Sequence, residues 1–214
     1  MYEFSSKTKV NKAITFAQIF KEISADKEIK QDAKIIKSIM LSNVLADYTL
    51  NLPKANVKKE IYVFEIVLTE KKIPLVFLTA MDKKLGFYSL FRFVYQEQYM
   101  YAFAYKSVKS NSVSIGKYHY TEWKNISSEI LEKMPIFSSV DDLYYAIIVD
   151  VIRLSPRQGE TVEDYLARYG EILSLQKEID RLDKTIKAEK QTNIVYELNE
   201  ELKTKKKQIE ELKK

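Results

Sequence analysis

FYSLFRFVYQEQYMYAFAYKSV, residues 87–108, commits this chain to a β-sheet. Aromatic and aliphatic residues recur on both sides of Glu97-Gln98, which gives two strands, 87–96 and 99–108, joined tightly into an antiparallel hairpin. An even-length loop there pairs odd positions with even ones. Phe91, Phe93 and Tyr95 then share a face with Ala104, Ala102 and Met100, large rings against small or flexible side chains. A third strand, 114–123, follows the polar break Ser110-Asn111-Ser112. Upstream, residues 61–69 form a strand with two apolar faces, Tyr62, Phe64, Ile66 and Leu68 on one and Ile61, Val63, Glu65 and Val67 on the other. Apolar residues on both faces place that strand centrally in its sheet.

Around this centre the pattern predicts a first helix over 11–23, with Ile14, Phe16, Ile19 and Phe20 at helical spacing, and a strand over 34–45. Leu50-Asn51-Leu52-Pro53 closes that unit, and a polar loop runs to Lys59. Pro74 suits the first turn of a short helix over 73–84, which Gly86 ends. After Pro135 comes an apolar helix with a capping start at Ser139 and Asp142 and with Leu143, Ile147, Val151 and Leu154 along one side. Ser155-Pro156-Arg157-Gln158-Gly159 breaks it. The fold class is α+β: a mixed, largely antiparallel sheet of about five strands with packed helices over residues 1–156.

Residues 161–214 form a C-terminal coiled-coil arm. Thr161 caps it, with Asp164 at the third helical position. Ile172, Leu175, Ile179, Leu182 and Ile186 make one apolar seam at steps of three and four, and Leu198, Leu202, Ile209 and Leu212 make a second, shifted in phase. Gln191-Thr192-Asn193 between them is a weak helix former. Either the helix turns back there as a hairpin or the seam rotates along one long helix; the hairpin is favoured, because each half then covers the other. Leu175, Ile179, Leu182, Ile186, Leu198, Leu202, Ile209 and Leu212 are the expected partner-binding residues.

Composition narrows the chemistry. The 214 residues are 46% hydrophobic and 30% charged, with no cysteine, so disulfide frameworks and thiolate metal sites are excluded. The start has no apolar signal core, and no apolar run is long enough to cross a bilayer, which points to the cytoplasm. A net charge of +5 is mild, and Lys and Glu are interspersed; even the run Lys203, Lys205, Lys206, Lys207 reads first as a solvated helix face. His119 is the single histidine, which rules out a multi-histidine metal site and leaves a triad no choice of member. The four scattered glycines build no phosphate loop. Neither a metal nor a cofactor is expected.

Two constellations remain. Restriction-type nucleases hold Mg²⁺ with carboxylates beside a lysine; Asp47, Glu65 and Lys106 suggest that set, but no lysine follows Glu65 at the required spacing. Glu65, Asp82 and Lys106 stand as catalytic candidates, with a structural ion pair as the plainer reading. Tyr99, Tyr101, Phe103 and Tyr105 share a strand face near Arg92 and Lys117. Exposed rings flanked by cations stack single-stranded nucleic acid, which makes Arg92, Tyr99, Tyr101, Tyr105, Lys106 and Lys117 the nucleic-acid candidates. The plainer reading is that the rings are core.

Several short motifs also match a known pattern: Thr49-Leu50-Asn51-Leu52-Pro53, Phe64-Glu65-Ile66, Asp82-Lys83, Ala104-Tyr105-Lys106, Tyr120-Thr121-Glu122-Trp123, and the tail segment 179–202 with Glu189-Lys190-Gln191-Thr192-Asn193 and Glu197-Leu198-Asn199. Together they resemble the prokaryotic family called domain of unknown function 4391. The resemblance implies genomic neighbours such as helicases and DNA methyltransferases of restriction or phage-defence clusters, and it implies no reaction. Three expectations follow. The first is a non-enzymatic accessory subunit of a DNA-processing or defence assembly, docking on a protein such as a helicase or methyltransferase component through its C-terminal helices. The second is a degenerate or unrecognised metal-dependent nuclease, and the third a single-stranded nucleic-acid-binding module.

Overall fold

A computed structural model of the chain describes residues 1–53, 59–109 and 112–214. Residues 54–58 of the polar loop and the break at Ser110-Asn111 lie outside them. Strands β1 (Tyr2–Glu3) and β2 (Lys9–Ile14) precede helices α1 (Phe16–Glu22) and α2 (Lys27–Asp32). Then come β3 (Ile36–Ala46), the single turn α3 (Asp47–Leu50), β4 (Glu60–Leu68), α4 (Leu75–Leu85), β5 (Tyr88–Tyr95), β6 (Gln98–Lys109) and β7 (Ser112–Tyr120). The short strands β8 (Lys124–Asn125) and β9 (Glu132–Lys133) lead to α5 (Val140–Ile152), α6 (Val162–Ala188) and α7 (Thr192–Lys213). The chain divides into two compact units, Met1–Ile152 and Arg153–Lys214.

The main sheet runs β2-β3-β4-β5-β6-β7, with β8 adding to β6. Within it β4 and β5 are parallel and every other pair is antiparallel. Parallel neighbours need a crossover, and α4 supplies it. This is the expected α+β architecture, with seven strands where the sequence pattern suggested about five. One reason is the segment read as a single helix over 11–23. Residues up to Ile14 are instead a strand, because Thr15 and Gln18 form a capping box that starts the helix only at Phe16. β2 is an edge strand, exposed along most of its length, with a register shift between Lys9 and Lys12 and a left-handed Asn11 (φ 48°).

The aromatic hairpin has the expected parity but a register two residues away. Phe91 faces Ala102 and Phe93 faces Met100, since the turn sits at Gln96-Glu97 and Gln98 already pairs with Tyr95. Gln96 takes the left-handed conformation (φ 52°) that so tight a turn demands. At the end of α4, Gly86 does the same (φ 62°) and stops the helix as its position suggests.

Both faces of β4 are covered. On one, Phe64 and Ile66 join Phe91, Phe93, Met100 and Ala102 beneath Phe77, Leu78 and Met81 of α4. On the other lies α5, whose Tyr144 stacks on Tyr88 at 4.0 Å between centroids and meets Phe103 edge-on. Burying each such ring contributes ~1.5–3 kcal/mol.

In the second unit the tail is a hairpin. Thr161 accepts from the Asp164 amide at 3.1 Å to start α6, as its sequence suggests. The helix stops at Ala188, and the Glu189 carboxylate accepts from the Lys190 and Gln191 amides at 2.7 and 2.9 Å, which fixes the reversal. Lys205 meets Glu178 at 2.5 Å and Arg168 meets the Leu212 carbonyl at 2.7 Å, so α6 and α7 run antiparallel. That register brings Ile172 opposite Ile209 and Ile179 opposite Leu202, and all four are buried.

Candidate functional site

The nuclease candidates fall into two separate pairs. Asp82 lies on the buried face of α4, where it meets Lys106 of β6 and Tyr118 of β7. Its Oδ1 takes the Lys106 ammonium as an ion pair at 2.7 Å rather than as an aligned hydrogen bond, and its Oδ2 accepts from the Tyr118 hydroxyl at 2.5 Å. Lys106 also donates to Ser89 Oγ at 2.9 Å and to the Phe87 carbonyl. Both charged side chains are 0% exposed. Burial pulls the ammonium below its ordinary value while Asp82 pushes the other way; burial and then Asp82 push the Tyr118 phenol far up. A cation and an anion sealed against each other reach no substrate.

Glu65 belongs elsewhere. It neighbours Arg92 across the parallel β4–β5 pair and accepts from Nη1 at 2.7 Å. The opposite edge of the guanidinium, Nε and Nη2, grips Glu129 at 3.2 and 2.5 Å, and the Tyr101 hydroxyl donates to the same carboxylate at 2.8 Å. Arg92 also lies over the Tyr99 ring at 5.3 Å. Glu65, Asp82 and Lys106 therefore do not converge, which removes the arrangement a metal nuclease would need from them. Among the described residues, no group of three His, Cys, Asp or Glu side chains is placed to hold a metal ion.

The aromatic face is core. Tyr99 and Tyr101 are 7% and 6% exposed and Phe103 is fully buried, so none presents a ring to a base. Tyr105 is half-buried and Lys117 is exposed on β7, while Lys106 is sealed. His119 stacks on Phe103 at 5.3 Å; burial, then Lys117, lower its basicity, as befits a packed structural imidazole. Burial raises the phenols of Tyr101, Tyr118 and Tyr144, with Glu129 behind it for Tyr101 and Asp82 for the other two. Raised folded-state values mean that their stabilisation is complete below the free phenol value near 10 and is lost as pH rises through the folded values. Lys106 acts in the opposite sense, since its lowered value makes the unfolded chain hold more protons. The three phenols prevail by number, so absorbance at 295 nm should show them ionising together with alkaline unfolding. One smooth titration centred near 10 would contradict this.

The arm holds the residues that the pattern missed. Arg168 binds Glu160 through Nε and Nη2 at 2.6 and 2.7 Å, the Leu212 carbonyl at 2.7 Å and the Ser155 carbonyl at 2.9 Å. Its hydrogen bonds, and then burial working against them, leave the Glu160 carboxyl below its usual range. Tyr165 beneath it donates to the Leu154 carbonyl at 2.9 Å. Of the expected partner-binding residues, Ile179, Leu202 and Ile209 are buried in the hairpin's own seam. Leu175, Leu182, Ile186, Leu198 and Leu212 are half-buried, and Tyr196 at the distal end is 68% exposed.

One family model, described as Domain of unknown function (DUF4391), matches residues 5–209. No curated protein and no solved structure matches the chain. Among the described residues, no helix is long and apolar enough to cross a membrane.

Proposed function

The chain belongs to the family of domain of unknown function DUF4391, and from that premise we propose that it is a non-enzymatic interaction subunit of a bacterial DNA-processing or anti-phage assembly. It docks on a protein partner, such as a helicase or methyltransferase component, through its C-terminal helices. The observation that carries this reading is the apolar surface left over once the arm has paired with itself. The proximal seam buries Ile172, Ile179, Leu202 and Ile209, whereas Leu182, Ile186, Ile194, Val195 and Leu198 stay half-covered beside an exposed Tyr196. Apolar residues at helical spacing with water on one side are what a third helix packs against. The nuclease reading loses its support because its three residues are committed to separate pairs. The nucleic-acid reading loses it because its rings are core.

The test is co-purification from a host cell with the full chain carrying Ile186→Glu and Tyr196→Ala. Partners captured by the parent should be lost, while Lys207→Ala on the charged outer face retains them. Recovery of the same partners by the double variant would show that the arm is not the docking element.

A further inference from the structure

We propose that residues 124–133 form a strap latched across the sheet by one carboxylate, Glu129, and that the strap opens as a unit when that carboxylate leaves Arg92. Along these ten positions every side chain is exposed except that of Glu129. Ile126, Ile130 and Leu131 are 39%, 78% and 47% exposed, so the apolar residues of the segment bury little area to hold it down. Its backbone anchors lie at the two ends. Asn125 and Lys124 pair with Gln98 and Tyr99, the Ile126 amide donates to the Glu97 carbonyl at 2.8 Å, and the short β9 pairs with β1. Between those ends, among the described residues, the attachment through a side chain is Glu129 in the fork of Arg92 with the Tyr101 hydroxyl as third donor.

A segment with little buried apolar area opens at low cost, and its local stability then rests on whatever polar contact closes it. Here that contact is a bidentate, charge-assisted one, with side chains 18% and 12% exposed. Glu65 holds the far edge of the guanidinium, so the fork keeps its aim whether or not Glu129 is in it. Opening therefore frees Nε and Nη2 of Arg92 together with the Tyr101 hydroxyl. This is a preformed set of donors of the size of one oxyanion, filled in the closed state by the chain's own glutamate. The inference concerns the sheet domain and is independent of the arm's docking role.

Hydrogen exchange on the full chain, read by mass spectrometry, tests it with two variants. Glu129→Gln keeps the shape and removes the charge; amides of residues 126–132 should exchange about tenfold faster, with β3 and β4 unchanged. Ile130→Ser removes an exposed apolar side chain and should change nothing. Unaltered exchange in Glu129→Gln, or a uniform rise over the whole domain, overturns the latch. So does an equal opening by Ile130→Ser, which would mean that apolar contacts hold the strap.

Discussion

Lys106→Met should lower the thermal midpoint of the sheet domain by about 10 °C. The substitution keeps an unbranched stem and removes the ammonium, leaving the sealed Asp82 carboxylate, among the described residues, with the Tyr118 hydroxyl to satisfy it. Breaking a buried pair by removing one partner costs ~3–5 kcal/mol, because the surviving charge has no solvent. A domain of this size shifts by ~2–4 °C for each kcal/mol. The second half of the experiment is the double variant Asp82→Leu, Lys106→Met. Replacing both charges by apolar groups is often nearly neutral, so it should recover most of the loss. Circular dichroism of the aromatic bands follows both. A single variant that melts like the parent would mean that the pair contributes little to stability.

Arg168→Met should release the base of the arm. Arg168 joins four groups: the Glu160 carboxylate, the Ser155 carbonyl and the Tyr165 ring at 5.5 Å, all close to it in the chain, and the Leu212 carbonyl from the far end of α7. The Leu212 contact matters most for the helices, since it satisfies a carbonyl in the last turn of α7 that has no partner within its own helix. Arg157 assists from outside, donating to the carbonyls of Glu211 and Leu212 at 3.1 and 3.4 Å. Losing the inner arginine strands the nearly buried Glu160 and costs ~3 kcal/mol, which corresponds to roughly a hundredfold faster amide exchange over the last two turns of α7. Arg168→Lys should recover only part of this, because a point charge cannot reproduce a planar fork that serves an acid and two carbonyls at once. Unchanged exchange in the methionine variant would show that the apolar seam alone closes the hairpin.

What could be read from the residues was whatever a short-range period controls. Residues 61–69 show two apolar faces, and both prove covered. The tail's slip of phase between Ile186 and Leu198 marks a reversal, and α6 ends two residues beyond the first of them. The hairpin's parity was legible because loop length alone sets it, but its register depended on Gln96 accepting a left-handed backbone that no pattern announces. β2 was missed because Ile14 continues the helical spacing of Phe16, Ile19 and Phe20, and only the capping box at Thr15 separates strand from helix. The charged residues show the limit most clearly. Glu65, Asp82, Arg92 and Lys106 are all residue types capable of chemistry, and all four are engaged, yet which one meets which depends on contacts across 24 positions for Asp82 and Lys106 and 27 for Glu65 and Arg92. Glu129 and Tyr118 carried no local signal, since their partners are distant; Arg168 meets Glu160 at a spacing that follows no helical or strand period, and otherwise meets backbone carbonyls.

The irregular outer strand β2 bears on how this molecule behaves in a crowd of its own kind. An edge strand with unpaired amides and carbonyls is a template onto which another chain can add, sheet upon sheet, toward fibrils. Here the edge carries Lys9 and Lys12, a shift of register between them and a left-handed residue in the middle, so no straight run of backbone groups is offered. A wide sheet rich in tyrosine and phenylalanine would otherwise be a hazard at high concentration. At this rim six irregular residues make the edge a poor template for another chain.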